Sequence, residues 1–316
     1  GHRIAALNDP AIQWKGVYQP AYRVDRSLQK IKSDRVRVRI VLYPFADEMG
    51  CRFTLADAGC GLDRIGRSKW QTVFVTTVST KMLPVLASMP GVKWVEPYVE
   101  PKLYSAEMPD VAVYSRKDEI KNQVSHDIMN VTPVWNAGHT GASQVAAVCD
   151  TGLDVGSVSS IHADFYNDAD SNGTNDKIVA AYALGRTGDW SDDNGHGTHT
   201  AGSVLGNGAR SSGQFRGNAY QARLVMQSVL DSRGGLGGLP SDLNDLFQQA
   251  YDDGARIHSN SWGSDAAGEY TDDSQGSDQF IWDNPDMLVT FSAGNAGVDA
   301  NSNGVIDNDS IGSPAT

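Results

Sequence analysis

Apolar residues in this chain come in short blocks, and the blocks change character about a third of the way along. Val36-Arg37-Val38-Arg39-Ile40-Val41-Leu42 alternates apolar with charged and predicts a strand with one buried face. Residues 72–78 predict a second strand. Residues 80–88 suit a short helix, broken by Met89-Pro90-Gly91, and Val92-Lys93-Trp94-Val95 is a further strand stopped by Glu96-Pro97. Residues 105–125 lose all periodicity. They are polar and mixed, include Pro109 and a charged run over 116–121, and read as a linker open to cleavage.

Beyond that linker the apolar blocks are nearly continuous and alternate with helical patterns. Residues 145–149, 223–229, 257–262 and 287–292 predict strands, and 198–205, 241–253 and 272–282 predict helices, the second with Ser241 as N-cap. This order implies an α/β fold, a parallel sheet with helices on both faces. Ligands in such sheets sit at the carboxyl ends of the strands. Asp150, Asn260 and Asn295 all fall at those ends.

A length of 316 residues accommodates two domains. No apolar run is long enough to span a membrane. No signal-peptide pattern opens the chain, and Gly1-His2 reads as a vector remnant or a processed start. The net charge of −12 conceals a division. Residues 1–121 carry 19 Lys/Arg and 13 Asp/Glu, a net of +6, and residues 122–316 carry 7 and 25, a net of −18. Two bodies that attract each other fit this split, as do two unrelated solvated faces. The acidic half argues against nucleic acid as a partner. Three cysteines make no disulfide scaffold. Cys51 and Cys60 are able to pair, and Cys149, inside an apolar strand, reads as a buried small hydrophobe.

Candidate chemistry lies in three places. Val148-Cys149-Asp150-Thr151-Gly152 puts an aspartate at a strand end. Asn194-Gly195-His196-Gly197-Thr198-His199-Thr200 puts a histidine on a glycine-flanked turn that opens a helix. Ser292-Ala293-Gly294-Asn295 puts an amide at another strand end. Acyl transfer needs a base, an acid that orients it and a donor for the oxyanion. His196 suits the base, Asp150 the orienting acid and Asn295 the donor. Taken singly, each stretch also reads as an ordinary turn or cap. A zinc pair of His196 and His199 fits the turn-to-helix context poorly.

These three signatures, in the order aspartate, histidine, asparagine, resemble those of the subtilisin-like serine proteases, the subtilases. Tyr182-Ala183-Leu184-Gly185-Arg186, residues 231–240 and residues 254–263 are similar to the oxidatively stable alkaline branch, so the resemblance covers about 122–316. It implies a subtilisin-like sheet and a secreted endopeptidase acting on extended polypeptides. It implies that Ser261, Trp262 and Gly263 form a backbone rail and one wall of the primary specificity pocket. Ser292, Ala293 and Gly294 form the other wall, and Gly234, Gly235, Leu236 and Gly237 form a second rail. It also implies that residues 1–121 are a small α+β, ferredoxin-like propeptide, docked on the catalytic domain 122–316. The junction is expected near Lys121/Asn122, with residues 116–121 lying in the substrate groove.

The family carries its serine in a Gly-Thr-Ser-Met-Ala motif, and these 316 residues contain none. The expectation is a C-terminal remainder that carries the serine, with the present chain alone inactive. The alternative is a serine-less relative that binds peptide or calcium on the same fold. Two loops suit calcium: Asp168, Asp170, Asn172 and Asp176 in one, and Asp299, Asn301, Asn303, Asp307 and Asp309 in the other. Oxygen side chains at alternate positions before a glycine suit a hard cation, although Val179 and Ser310 stand where a closing glutamate would. A polar Asx-rich loop is the other reading.

Overall fold

The computed structural model describes residues 19–104 and 126–316. They fall into two compact units, divided between Tyr98 and Val99. That division differs from the expected one at 121/122. Its reason is local: Lys102-Leu103 pairs with Trp262-Gly263 and so belongs to the second unit. The linker 105–125 and the expected groove segment 116–121 lie outside the described residues.

The first unit is built from β1 (Arg35–Leu42), α1 (Glu48–Asp57), β2 (Leu62–Arg67), β3 (Thr72–Ser79), α2 (Leu83–Ser88) and β4 (Val92–Pro97). Its sheet is antiparallel in the order β2-β3-β1-β4, the ferredoxin-like arrangement expected. Val38, Ile40 and Leu42 pack with Phe74, Leu55 and Leu86 in its core. The sequence pattern missed α1. Only Cys51 and Leu55 of that helix are buried, while Met49 and Phe53 are exposed, so apolar residues on both faces hide the period. Cys51 and Cys60 are both buried and unpaired, contrary to the pairing allowed above, and burial pushes the Cys51 thiol up to about 11.

The second unit holds a five-stranded parallel sheet. Its strands are β6 (Val145–Asp150), β7 (Ile178–Ala183), β8 (Arg223–Ser228), β9 (Ile257–Asn260) and β11 (Leu288–Phe291), in the order β11-β9-β6-β8-β7. Period-two alternation sorts the side chains between two layers. Ala146, Val148, Leu224 and Met226 pack with Ala201 and Leu205 of α3 (His196–Leu205). Cys149 packs on the other side with Leu243, Leu246 and Phe247 of α4 (Leu243–Asp252) and Phe280 of α5 (Asp272–Asp283). Both faces of the sheet are thus covered, which places every loop that follows a strand at one edge.

Two boundaries moved for identifiable reasons. Helix α4 is capped by Asp242, whose carboxylate accepts from Asn244 N at 3.0 Å, and not by Ser241. The strand expected over 257–262 breaks at Ser261. Trp262-Gly263 leaves the parallel sheet as β10 and pairs antiparallel with β5 (Lys102–Leu103).

Candidate active site

Strand β6 ends on Asp150, which is fully buried. One carboxylate oxygen, Oδ1, accepts from Thr151 N at 2.7 Å and from His196 Nδ1 at 2.7 Å. The histidine is the first residue of α3, and its side chain retains 14 % exposure. Two glycines let these elements meet. A Cβ on Gly152 would collide with the carbonyl oxygens of Trp190 and Ser191, and one on Gly197 would collide with the backbone of Gly152.

The turn before His196 is tied down by Asp192, which the sequence reading did not single out. Asp192 Oδ1 accepts from Thr151 Oγ1 at 2.7 Å and from Gly195 N at 2.9 Å, and Oδ2 accepts from Thr198 N at 2.7 Å. Thr151 Oγ1 in turn accepts from Gly197 N at 2.8 Å. One carboxylate therefore links the end of β6 to the first turn of α3, on both sides of the His196–Asp150 contact. Its signal was present in Asp192-Asp193-Asn194-Gly195, an Asx-rich approach to a helix start.

The pKa of His196 is raised. The largest cause is its hydrogen bond to Asp150. Burial opposes, and the Asp150 and Asp192 charges and the Tyr104 backbone add to the rise. The imidazole is thus oriented by one nitrogen and made a stronger base. Asn295 follows Gly294 in an exposed bend beyond β11. Asn260, at the end of β9, is buried, and its amide donates to Thr290 O at 3.1 Å, so it serves the sheet.

The residues expected to form the first rail pair with another short strand of this chain. Tyr104 N donates to Ser261 O at 2.9 Å, and Leu103 and Lys102 lie opposite Trp262 and Gly263. The Trp262 indole donates to Cys149 O at 3.1 Å, which pins the rail to the strand that carries Asp150. Tyr104 is 6 % exposed, while Lys102 is exposed and Leu103 half-buried. Its ring stands against three glycines. Side chains added at Gly263 or Gly312 would overlap it, and a Cβ at Gly294 would lie 3.3 Å from Tyr104 Cζ. The phenol oxygen lies 3.4 Å from Asp265 Oδ1, and Lys102 Nζ lies 2.6 Å from Asp265 Oδ2. Gly294 belongs to the expected second wall, of which Ser292 and Ala293 are the preceding residues. Gly312, which the sequence reading did not name, lies against the same ring.

The expected second rail is an ordered loop. Asp231 Oδ1 accepts from Arg233 N at 2.8 Å and from Gly235 N at 2.9 Å, and Gly234 has a φ of 80°. Any side chain at Gly237 would strike the Asp231 carboxylate. Leu236 is buried in the cluster against which Leu103 packs.

The two expected calcium loops share one wiring. Asp168 accepts from Asn172 N and Gly173 N at 2.9 and 3.0 Å, and Asp299 accepts from Asn303 N and Gly304 N at 2.9 and 2.8 Å. Asp176 Oδ2 accepts from Ala169 N at 2.8 Å, as Asp307 Oδ2 does from Ala300 N at 2.9 Å. In the first loop, oxygens of Asp168, Asp170 and Asp176 lie within 4.8 Å of one another. Asn301 stands where Asp170 stands, and Asp309 lies beyond the shared frame.

Comparison with known proteins shows the family and the fold. The model of the subtilase family, Peptidase S8, matches residues 141–316. The serine protease/ABC transporter B family protein tagA of Dictyostelium discoideum is 31 % identical over 167 residues, 52 % of this chain and 9 % of that one. Serine protease AprX of Bacillus subtilis is 58 % identical over 43 residues, 14 % of this chain and 10 % of that one. The chain thus spans a small part of the length of the curated relatives it matches. Among solved structures, fervidolysin from Fervidobacterium pennivorans, a keratinolytic enzyme related to subtilisin, superposes with a TM-score of 0.57. That match has 19 % identity and covers 85 % of this chain and 41 % of that chain, a likeness of fold.

Proposed function

The chain belongs to the subtilase family, and from that premise we propose that it forms the acid–base and substrate-binding part of a secreted serine endopeptidase. The observation that carries the reading is the 2.7 Å contact between His196 Nδ1 and Asp150 Oδ1, made beside an extended strand held on a backbone rail. In this reading His196 takes the proton of a serine and returns it to the leaving amine. Asp150 fixes the imidazole tautomer and stabilises the cation that forms. The Asn295 carboxamide donates to the tetrahedral oxyanion. In this reading the serine is supplied by a further stretch of the protein. Polypeptide substrates lie along Ser261-Trp262-Gly263 and against the loop of Gly234, Gly235, Leu236 and Gly237.

The N-terminal part acts as propeptide and inhibitor. What supports this is its opposite net charge and the occupation of the rail by residues 102–104. Calcium is the structural cofactor that suits the Asp168 loop, because three carboxylates converge there on hard oxygen ligands. Among the described residues no helix is long and apolar enough to cross a membrane.

A fluorophosphonate probe on the full-length protein tests the reading. One serine labelled in the wild type, and labelling reduced at least about 100-fold in His196→Ala, is the expected outcome. A folded full-length protein that never labels would favour the non-catalytic peptide-binding relative instead.

A further inference from the structure

The first turn of α4 buries two oxygen atoms to which the fold gives no donor. We propose that Asp242, Asn244 and Asp245 hold a calcium ion there, beside the middle of α5, at a site separate from the Asp168 and Asp299 loops. Such an ion braces two packed helices and takes no part in the proposed acid–base chemistry, so the site stands or falls apart from the protease reading.

Asp242 is 2 % exposed and Asn244 6 % exposed. Their side chains stand together, since Asn244 Nδ2 donates to Asp242 Oδ1 at 2.9 Å. Each keeps a second oxygen. Among the described residues, Asp242 Oδ2 and Asn244 Oδ1 are buried and meet no donor. The nearest backbone donors of the turn are engaged elsewhere. Asn244 N donates to Asp242 Oδ1 at 3.0 Å, and Asp245 N donates to the Asp242 carbonyl at 3.2 Å. A buried acceptor without a donor is costly, and two in one turn call for a group that both can coordinate.

Charge favours a cation over a water molecule. Asp245 lies in the same first turn, three residues after Asp242, and is exposed, which gives an ion a path from solvent. The turn thus offers two carboxylates and an amide oxygen. The packing partner adds no positive charge. Helix α4 contains no Lys, Arg or His, and neither does α5, which carries Asp272, Asp273, Asp278 and Asp283. The two helices are close at this point. A Cβ on Gly276 of α5 would lie 3.5 Å from Asn244 Nδ2 and 3.8 Å from Asp242 Oδ1. Below it, the rings of Phe247 and Phe280 lie 5.5 Å apart. A water molecule would serve the two free oxygens and leave the two charges uncompensated. Calcium serves both needs, because it takes hard oxygen ligands in flexible geometry. With two carboxylates from the protein and the remaining ligands from water, Kd falls in the weak class, about 10⁻⁴–10⁻³ M.

Calcium titrations of the full-length wild type and Asp242→Asn test the site. Asparagine caps a helix about as well as aspartate, so the variant keeps the start of α4. It removes the charge, and its amide is able to donate to Asn244 Oδ1. Without calcium the variant should be at least as stable as the wild type. At calcium about tenfold above Kd, the wild type should gain about 3–6 °C more in melting temperature than the variant. Equilibrium dialysis should find one more calcium ion on the wild type. The twin loops are intact in both proteins, so their share cancels in the difference. Asp245→Asn, at an exposed position, should lose part of the same gain, and it carries the test if Asp242→Asn does not fold. Equal gains and equal ion counts in the wild type and the variants overturn the site and leave the two oxygens to a buried water or a proton. Either result leaves fluorophosphonate labelling, and with it the protease reading, untouched.

Discussion

The carboxyl edge of the parallel sheet and its interior each hold a histidine, and the fold tunes them in opposite directions. His196 at the edge keeps 14 % side-chain exposure and has a carboxylate at 2.7 Å, so its pKa is raised. His258, inside β9, is fully buried, and burial drives its pKa down to about 3 against a small rise from Asn260. Its partner is an amide. Gln227 donates through Nε2 to Leu246 O and to Gln249 Oε1, both at 2.9 Å, so its Oε1 is the acceptor for His258 Nε2 at 2.9 Å. Phe247 meets the ring edge-on at 5.0 Å. Burial alone makes an imidazole a neutral packing element, and a buried carboxylate beside it makes a base.

The largest effect that would break this contrast is Asp150→Asn. An amide at that position resembles the Gln227 arrangement and removes the charge. The expected loss in kcat is on the order of 10⁴-fold, with the His196 titration moving down in an NMR pH series. The sign for catalysis is simple. His196 must be neutral, so wild-type activity falls about tenfold per pH unit below its raised pKa. For stability the sign reverses. A raised folded pKa means that the His196⁺–Asp150 attraction is complete below the unfolded value near 6.5 and is lost as pH rises through the folded value.

Acid titration of the interior sharpens the comparison from the other side. His258 has a folded pKa below its unfolded value of 6.5, so its neutral form contributes stability above about pH 6.5. That contribution is lost at about 1.4 kcal/mol per pH unit as pH falls from 6.5 towards 3. His258→Leu removes this slope but leaves Gln227 Oε1 buried without a donor, at a cost of about 1–3 kcal/mol at neutral pH. Urea unfolding at pH 4 and pH 7 reads both. A wild-type curve no steeper than that of the variant would refute the buried-neutral assignment.

A smaller effect is expected at Asp192, which holds the edge histidine in place without touching substrate. Asp192→Ala should cost about 1–2 kcal/mol of stability through the lost helix-start bonds. It should lower kcat by about 10- to 100-fold while KM stays nearly constant, because the base loses alignment and the rail does not. Equal changes in kcat and KM would point to a rail defect instead.

The smallest effects belong to the twin loops. Calcium should raise the melting temperature of the full-length protein. Asp176→Asn should remove more of that gain than Asp307→Asn, because Asp170 in the first loop is replaced by neutral Asn301 in the second. Thermal scans with calcium and with a chelator decide it, and equal losses would mean that the shared wiring, not the extra charge, governs binding.

The fold class was legible because it depends on pattern. Near-continuous apolar strands at 145–149 and 223–229 had to be covered on both faces, and Val148 and Cys149 do point to opposite layers. The first unit was half legible. Strands β1, β3 and β4 stood out, while α1 and β2 did not, since Met49 and Phe53 break the helical period and β2 has only Leu62 and Ile65 as apolar residues.

Asp150 and His196 stood out within the site because catalysis demands particular atoms at strand and helix ends. Asp192, Gly312 and Tyr104 were silent. An aspartate, a glycine and a tyrosine are common residues, and their roles come from what they meet. Sequence alone determined the period of the strands, the aspartate and histidine proposed as acid and base, and the separation of charge. Tertiary structure decided which oxygen meets which nitrogen, which glycines face one ring, and where Lys102-Leu103 pairs with Trp262-Gly263. Those outcomes depend on contacts between residues far apart in the chain, such as Tyr104 with Asp265, 161 positions away. Chain distance does not encode them, because closing so long a loop is left to the packing of the elements between.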